Sequence, residues 1–191
     1  MDISRISFKI FMDQGEDVPT DTWFEVFNTW IPAPEDDVLV DVADYTHVKN
    51  GPQTILVGHR ANYALDTTGG RFGFLYARKR DLNSSLSGNL EAVIGAGLKA
   101  ADRLANDASL QGKVNFNGES LQISLNDRLG AANDADGFAA LKAELDPVLA
   151  KLFGGTDYEV SQDSDPKRPL TVDIKASSGF SPAQLLENLS G

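Results

Sequence analysis

Short runs of alternating apolar and polar side chains recur along this chain, and each run predicts a β-strand. In the first, residues 3–12, Ile6, Phe8 and Ile10 share one face of the strand. The other predicted strands cover residues 38–42, 54–57, 62–65, 72–77, 113–116, 121–125, 158–160 and 170–176. Because tight turn signals separate most of these runs, the pattern favours an antiparallel sheet.

Apolar residues that recur every three or four positions predict four helices. The first covers residues 20–30, with Thr20 or Asp21 as its N-cap and Trp23, Phe27 and Trp30 on its apolar face. The aromatic face indicates that this helix packs into the core. The other predicted helices cover residues 86–110, 136–153 and 182–189.

Glycine and proline inside two of these helices carry specific expectations. Each glycine in a helix costs about 1 kcal/mol relative to alanine. We therefore expect Gly95 or Gly97 to face a neighbouring element at close range. Pro147 lacks an N–H donor, so it predicts either a kink or a restart of the third helix with Asp146 as its cap.

The Asn117-Gly118 dipeptide between two strand-like runs predicts a two-residue type I′ hairpin turn. With that hairpin, residues 72–160 follow a β-α-β-β-α-β order, which is the order of a ferredoxin-like unit. The chain is therefore predicted to be one α+β domain over residues 1–191, with a mostly antiparallel sheet and helices on one face. It could contain two internal halves, residues 1–80 and 81–191.

Composition narrows the classes of function. The formal charge is −11, from 28 acidic and 17 basic residues, which argues against binding to nucleic acid or to anionic lipid. The absence of cysteine excludes disulfides, thiol catalysis and thiolate metal sites. No signal peptide or membrane span of roughly 20 apolar residues is visible. We expect a soluble, cytoplasmic protein, and a homo-oligomer is compatible with the sequence.

The segment from residue 41 to residue 66 is the richest in groups that could carry chemistry. It contains both histidines of the chain, His47 and His59, together with Asp41, Asp44 and Asp66. A hairpin within this segment would bring side chains opposite one another to roughly 5 Å. The two imidazoles could therefore converge with one of the aspartates.

Three hypotheses account for this segment. Its polar groups could simply hydrogen-bond turn backbones. They could form a binding site for an anionic ligand, a peptide or another protein. They could instead hold a divalent metal ion that activates water. Residues 71–80 also carry four bases and no acid, which suits either an anion or a solvated strand end. The candidate binding residues are Asp41, Asp44, Tyr45, His47, His59, Tyr63, Asp66, Arg78 and Lys79.

Four strings in this chain resemble a family of uncharacterised bacterial proteins of similar length. They read VDVADYTHVKNGP, LVGHRANYALD, GRFGFLYARKR and LNDRL, and residues 41–80 are the most specific part. The resemblance implies a bacterial, intracellular, single-domain protein. It implies no activity, no cofactor and no catalytic residue.

The sequence favours a non-enzymatic binding or accessory protein that engages a small ligand or a protein partner through residues 41–80. The alternative is an enzyme that uses residues 41–66 for metal-assisted or His/Asp acid–base chemistry. No cofactor is indicated, and no metal site is assigned.

Overall fold

A computed structural model describes residue 3, residues 5–80, residue 82, residues 84–165 and residues 167–191. Within this part of the chain, eight strands form one antiparallel sheet in the order β2-β3-β4-β5-β1-β6-β8-β7. The predicted α+β class with a mostly antiparallel sheet is therefore confirmed. The elements are β1 (Ile6–Gln14), α1 (Thr20–Trp30), β2 (Leu39–Asp44), β3 (Pro52–Gly58), β4 (Ala61–Asp66), a short 3₁₀ helix (Thr68–Gly70), β5 (Gly73–Arg78), α2 (Leu86–Ala105), β6 (Asn115–Leu125), α3 (Ala135–Leu152), β7 (Tyr158–Gln162), β8 (Leu170–Ala176) and α4 (Pro182–Ser190).

The main core lies between the helices and one face of the sheet. On that face, Phe8 of β1 is paired with Tyr76 of β5, which is paired in turn with Tyr63 of β4. Helix α2 packs against β1 and β5, while α3 and α4 pack against α2. Helix α1 covers the β2–β3 side of the sheet, where Trp30 contacts Tyr63. This arrangement buries the apolar face of the sheet.

The glycines of α2 allow the close packing that the sequence predicts. A Cβ atom added at Gly97 would overlap the ring of Phe8 on β1. At Gly95 the nearest neighbouring atom would be Leu189 Cδ2 of α4, at an ordinary contact distance of 3.6 Å. The expectation that one of the two glycines lies against a neighbouring element is confirmed at Gly97.

The predicted hairpin at Asn117-Gly118 is wrong, because both residues lie inside the single strand β6. Neither residue has the positive φ that a type I′ turn requires. The Asn-Gly pair instead marks an irregularity in pairing: Ile10 pairs with Leu121, but Met12 pairs with Phe116. Four residues of β6 therefore lie opposite a single residue of β1, which is an extended β-bulge.

One strand thus stands where two were predicted, and the order from β5 to β7 is β-α-β-α-β. The ferredoxin-like order is therefore not confirmed. Helix α3 continues through Pro147 without a restart, and its N-cap is Asp134. Helix α1 begins after Pro19, which occupies the N-cap position that was predicted for Thr20 or Asp21.

Within the residues that the structure describes, no helix combines the length and the apolar character needed to cross a membrane.

Candidate functional site

The nine candidate residues do not form one site. His47 lies in the turn before β3, and His59 lies in the turn after it. The seven residues of β3 separate the two turns, a length of roughly 20 Å. The two imidazoles therefore do not converge, since a hairpin brings opposite residues together but not the two ends of one strand.

The candidates on β2 and in its following turn form local hydrogen bonds. Asp41 Oδ1 accepts the backbone N–H of Val42 at 2.9 Å, and Asp44 Oδ1 accepts that of Thr46 at 2.8 Å. The Thr46 bond is the main reason that the pKa of Asp44 lies below its usual value, and the nearby charge of His47 has a smaller effect in the same direction. These aspartates satisfy backbone groups, as the turn hypothesis describes.

Two further candidates, His59 and Lys79, are exposed at one end of β3–β5. The backbone N–H of His59 donates to Val38 O at 2.8 Å, and that of Lys79 donates to Arg60 O at 2.9 Å. The carboxylate of Asp37 organises the β3–β4 turn by accepting the backbone N–H groups of Arg60 and Ala61 at 2.9 Å.

Asp66 is buried on the face of the sheet opposite the helices. Its Oδ2 accepts a hydrogen bond from Lys9 Nζ at 2.6 Å, and both side chains are nearly inaccessible. Lys9 Nζ also donates to the carbonyl of Arg71 at 2.6 Å. Burial lowers the pKa of Lys9, against the opposing effect of Asp66. The guanidinium of Arg71 lies 3.7 Å from the centroid of Phe11, so this cluster holds the loop before β5 against the sheet.

The remaining candidates, Tyr63 and Arg78, line one cavity. It has a volume of about 110 Å³ and is more enclosed than the larger, shallower depressions elsewhere on the described surface. Helices α1 and α2 and strands β4 and β5 supply most of its wall. We call it the Tyr63–Arg78 cavity, and its lining residues are Trp30, Glu35, Asp36, Asp37, Leu39, Arg60, Tyr63, Tyr76, Arg78, Ala96, Lys99, Ala100 and Arg103.

Aromatic rings form the inner wall of this cavity. Tyr63 packs edge-to-face against Tyr76 with ring centroids 5.3 Å apart, and against Trp30 at 6.2 Å. The guanidinium of Arg103 lies 4.5 Å from the centroid of the Trp30 ring, which is a cation–π geometry. The rings are thereby held in fixed positions by contacts on several sides.

Three acidic residues between α1 and β2 line the cavity, and two of them form ion pairs with α2. Lys99 Nζ lies 3.1 Å from Glu35 Oε2 and 2.7 Å from Asp36 Oδ2. Arg103 Nη1 lies 3.8 Å from Glu35 Oε1. The pairs are largely solvent-exposed, so each contributes roughly 0–1 kcal/mol and is weakened by salt. We call residues 35–37 the acidic strap.

The two tyrosines of the cavity remain neutral donors over the ordinary pH range. Burial raises the pKa of Tyr63 and of Tyr76. Arg78, two residues further along β5, opposes this effect on the pKa of Tyr76 in part. A neutral phenol can accept a hydrogen bond from Arg78 and still donate its own proton to another group.

Sequence reasoning found Tyr63 and Arg78 but missed most of the cavity. Lys99 and Arg103 are four residues apart on α2, a spacing that places them on one side of a helix. Tyr76 and Arg78 are two apart on β5, which places them on one face of the strand. These spacings could have shown that the members of each pair share a face. Nothing in the sequence indicates that the two pairs lie close to the acidic residues 35–37.

Within the described part of the chain, no three His, Asp or Glu side chains are grouped so that they could hold a metal ion. No protein-family model matches this chain, and no curated protein matches it either. The resemblance to uncharacterised bacterial proteins stays a prediction. Functional proposals for this protein therefore rest on its own residues.

Proposed function

We propose that this chain is a non-enzymatic binding protein that holds a small ligand in the Tyr63–Arg78 cavity. The observation that carries the proposal is a partly enclosed cavity of about 110 Å³ in which fixed aromatic rings meet several charged side chains. Ligand sites are typically concave, with apolar walls and a few convergent polar groups. The acidic, cysteine-free composition supports a cytoplasmic location for such an accessory protein.

The chemistry of the lining favours binding over catalysis. Acid–base catalysis near neutral pH needs a group whose pKa lies near 7, and histidine is the usual choice. Both histidines lie outside the lining of the cavity, and burial raises the pKa of its two phenols still further from neutrality. His47 and His59 also lie at opposite ends of β3, which disfavours a site that would need both imidazoles.

The size of the cavity limits the ligand. A cavity of roughly 150 Å³ accepts benzene, whereas drug-sized ligands occupy roughly 300–1,000 Å³. A ligand of about six non-hydrogen atoms fits. Isobutyrate, isobutyramide and isobutylamine are therefore suitable probes, because they share one carbon skeleton and differ in charge.

The two tryptophans of the chain provide a local readout. Trp30 lines the cavity, whereas Trp23 of the same helix is buried outside it. We expect at least one probe to shift the indole N–H resonance of Trp30 saturably while that of Trp23 stays in place. If none of the three probes moves the Trp30 resonance, the proposal is wrong.

Two matched variants of α2 test whether the cavity is the site. Ala96 lines the cavity, and Ala92 lies one turn earlier, exposed and outside it. Ala96→Trp should fill the cavity and abolish the saturable shift, while Ala92→Trp should leave it intact. Equal binding to both variants would place the ligand elsewhere.

A further inference from the structure

The charges that line the Tyr63–Arg78 cavity are unevenly neutralised. Four cationic side chains face three carboxylates, so the lining carries one net positive charge within a chain of formal charge −11. Lys99 and Arg103 are paired with the acidic strap. The imbalance therefore lies with the other two cations, Arg60 and Arg78.

Arg60 and Arg78 differ in their surroundings. Arg60 is exposed, and its Nη1 donates to the carbonyl of Asp36 at 3.3 Å. Arg78 is half-buried, and its Nε donates to the carbonyl of Arg80 at 2.9 Å. Among the residues that the structure describes, no carboxylate lies within 4.0 Å of its guanidinium nitrogens. The terminal nitrogens of this guanidinium are the donors that we expect to bind an anion.

The groups next to Arg78 are also donors. Tyr76 lies two residues before Arg78 on the same face of β5, and Tyr63 lies beside Tyr76 on β4. One guanidinium and two phenolic hydroxyls together suit the two oxygens of a carboxylate, which accepts such bonds strongly. We infer that the ligand of the Tyr63–Arg78 cavity is a small organic carboxylate, bound by Arg78 with the hydroxyls of Tyr63 and Tyr76.

Size and charge favour a carboxylate over larger anions. A volume of about 110 Å³ has no room for a nucleotide. The surplus of a single positive charge matches a monoanion, whereas a doubly charged phosphate ester would be repelled more strongly by the three carboxylates of the strap. The acidic strap also places the chain's own Glu35 carboxylate on Lys99 and Arg103. The lining of the cavity therefore already binds one carboxylate, that of Glu35.

This inference rests on the proposed function, and the three isobutyl probes separate the two. Isobutyrate should bind at least about tenfold more tightly than isobutyramide or isobutylamine, because hydrogen bonds to a charged acceptor are the stronger ones. If the neutral amide or the amine binds as tightly as the acid, the carboxylate assignment is wrong and the binding function stands. If no probe binds, both are wrong.

Variants at and next to the end of β5 test whether Arg78 binds the carboxylate. Arg78→Met should weaken isobutyrate binding by about tenfold or more, while Lys79→Met should not. Both changes remove one positive charge, but Lys79 is exposed and outside the cavity. Tyr76→Phe, which removes only a hydroxyl, provides a second test and should weaken binding several-fold. Equal binding to Arg78→Met and Lys79→Met would overturn the role of Arg78.

Inorganic phosphate tests the nature of the anion. We expect isobutyrate to remain bound in the presence of an equal concentration of phosphate, with the Trp30 resonance unchanged. If phosphate displaces isobutyrate and binds more tightly, the ligand is a phosphate and the carboxylate assignment is wrong.

Discussion

The ammonium of Lys9 donates to Oδ2 of Asp66 at 2.6 Å, and each side chain is at most 3 % exposed. This pair joins β1 to the end of β4, and a second bond from Lys9 to the carbonyl of Arg71 secures the loop before β5. Thr68 Oγ1 donates to the other oxygen of Asp66 at 2.7 Å. Because each buried charge is the counter-charge of the other, removing either residue alone would leave a buried charge without its partner.

Lys9→Met should lower the free energy of unfolding by about 3–5 kcal/mol, because it leaves the carboxylate of Asp66 buried without a counter-charge. Chemical denaturation measures the effect. The double variant Lys9→Met/Asp66→Asn should be more stable than Lys9→Met, since no uncompensated charge remains. Lys175→Met, at an exposed position on β8, provides the control. A loss no greater than that of the control would contradict the structural role of the pair.

The buried tyrosines predict a loss of stability at alkaline pH. Their folded-state pKa is raised by burial above the ordinary value of 10.0. Above that pH the unfolded state releases phenolic protons that the folded state still holds, so unfolding becomes easier as pH rises. Tyr63→Phe/Tyr76→Phe should therefore lose less stability between pH 9 and pH 11 than the unaltered chain.

Urea unfolding at the two pH values measures this difference. Tyr45→Phe, a change at an exposed position, should retain the full loss, because the two buried phenols remain. Lys9 has a lowered pKa in the folded state and so contributes a gain of stability as the pH rises. This gain is the same in all these chains and cancels in the comparison. An identical alkaline loss in the double variant would show that the two phenols do not contribute.

The two glycines of α2 should respond to alanine in opposite directions. Gly97→Ala should destabilise the protein by on the order of 1–3 kcal/mol, because the added methyl group would overlap the ring of Phe8. Gly95→Ala should stabilise it by up to about 1 kcal/mol, since the site has room and alanine favours a helix. Thermal unfolding of both variants tests the pair. Equal changes at the two positions would contradict the packing.

Gly118→Ala should also destabilise the protein by on the order of 1–3 kcal/mol. A Cβ atom there would overlap the carbonyl of Phe180 and lie 2.9 Å from Leu185 Cδ1, so the segment leading into α4 would have to move. Ser120→Ala, on the same strand, should change stability by less than about 0.5 kcal/mol. Denaturation midpoints compare the two, and similar values would mean that the close approach at Gly118 is not needed.

Features that depend on neighbouring residues in the sequence were predicted correctly, and features that depend on contacts between distant residues were not. Periodicity located all four helices and most strands, because burial of one face is a local pattern. It misassigned Gly118, since an Asn-Gly pair looks the same locally whether it makes a turn or admits the backbone of Phe180 from 62 residues away. Lys9 looked like an ordinary polar position of an alternating strand, and its partner Asp66 is 57 residues distant.

The candidate site was predicted only in part, because most of its residues come together only in the folded chain. Tyr63 and Arg78 were found because they lie in a segment with unusual composition. The residues that complete the cavity come from α1, α2 and the acidic strap, which only the fold brings together. His47 and His59 were selected because they share a segment with three aspartates, and sharing a segment does not fix the distance between two side chains across a sheet.

The hydrogen bond from Val42 N–H to Asp41 Oδ1 bears on how molecules of this protein behave next to one another. The backbone N–H of Tyr45 donates to the carbonyl of Gln53 on β3. Because successive backbone N–H groups of a strand point to opposite sides, the N–H of Val42 on the edge strand β2 points away from β3. A strand from another molecule would pair on that side. Asp41 occupies that donor, and the pairing irregularity between Leu39 and Asp41 bends the same edge. The occupied donor and the irregular pairing both make this edge a poorer template for a strand from another copy of the chain.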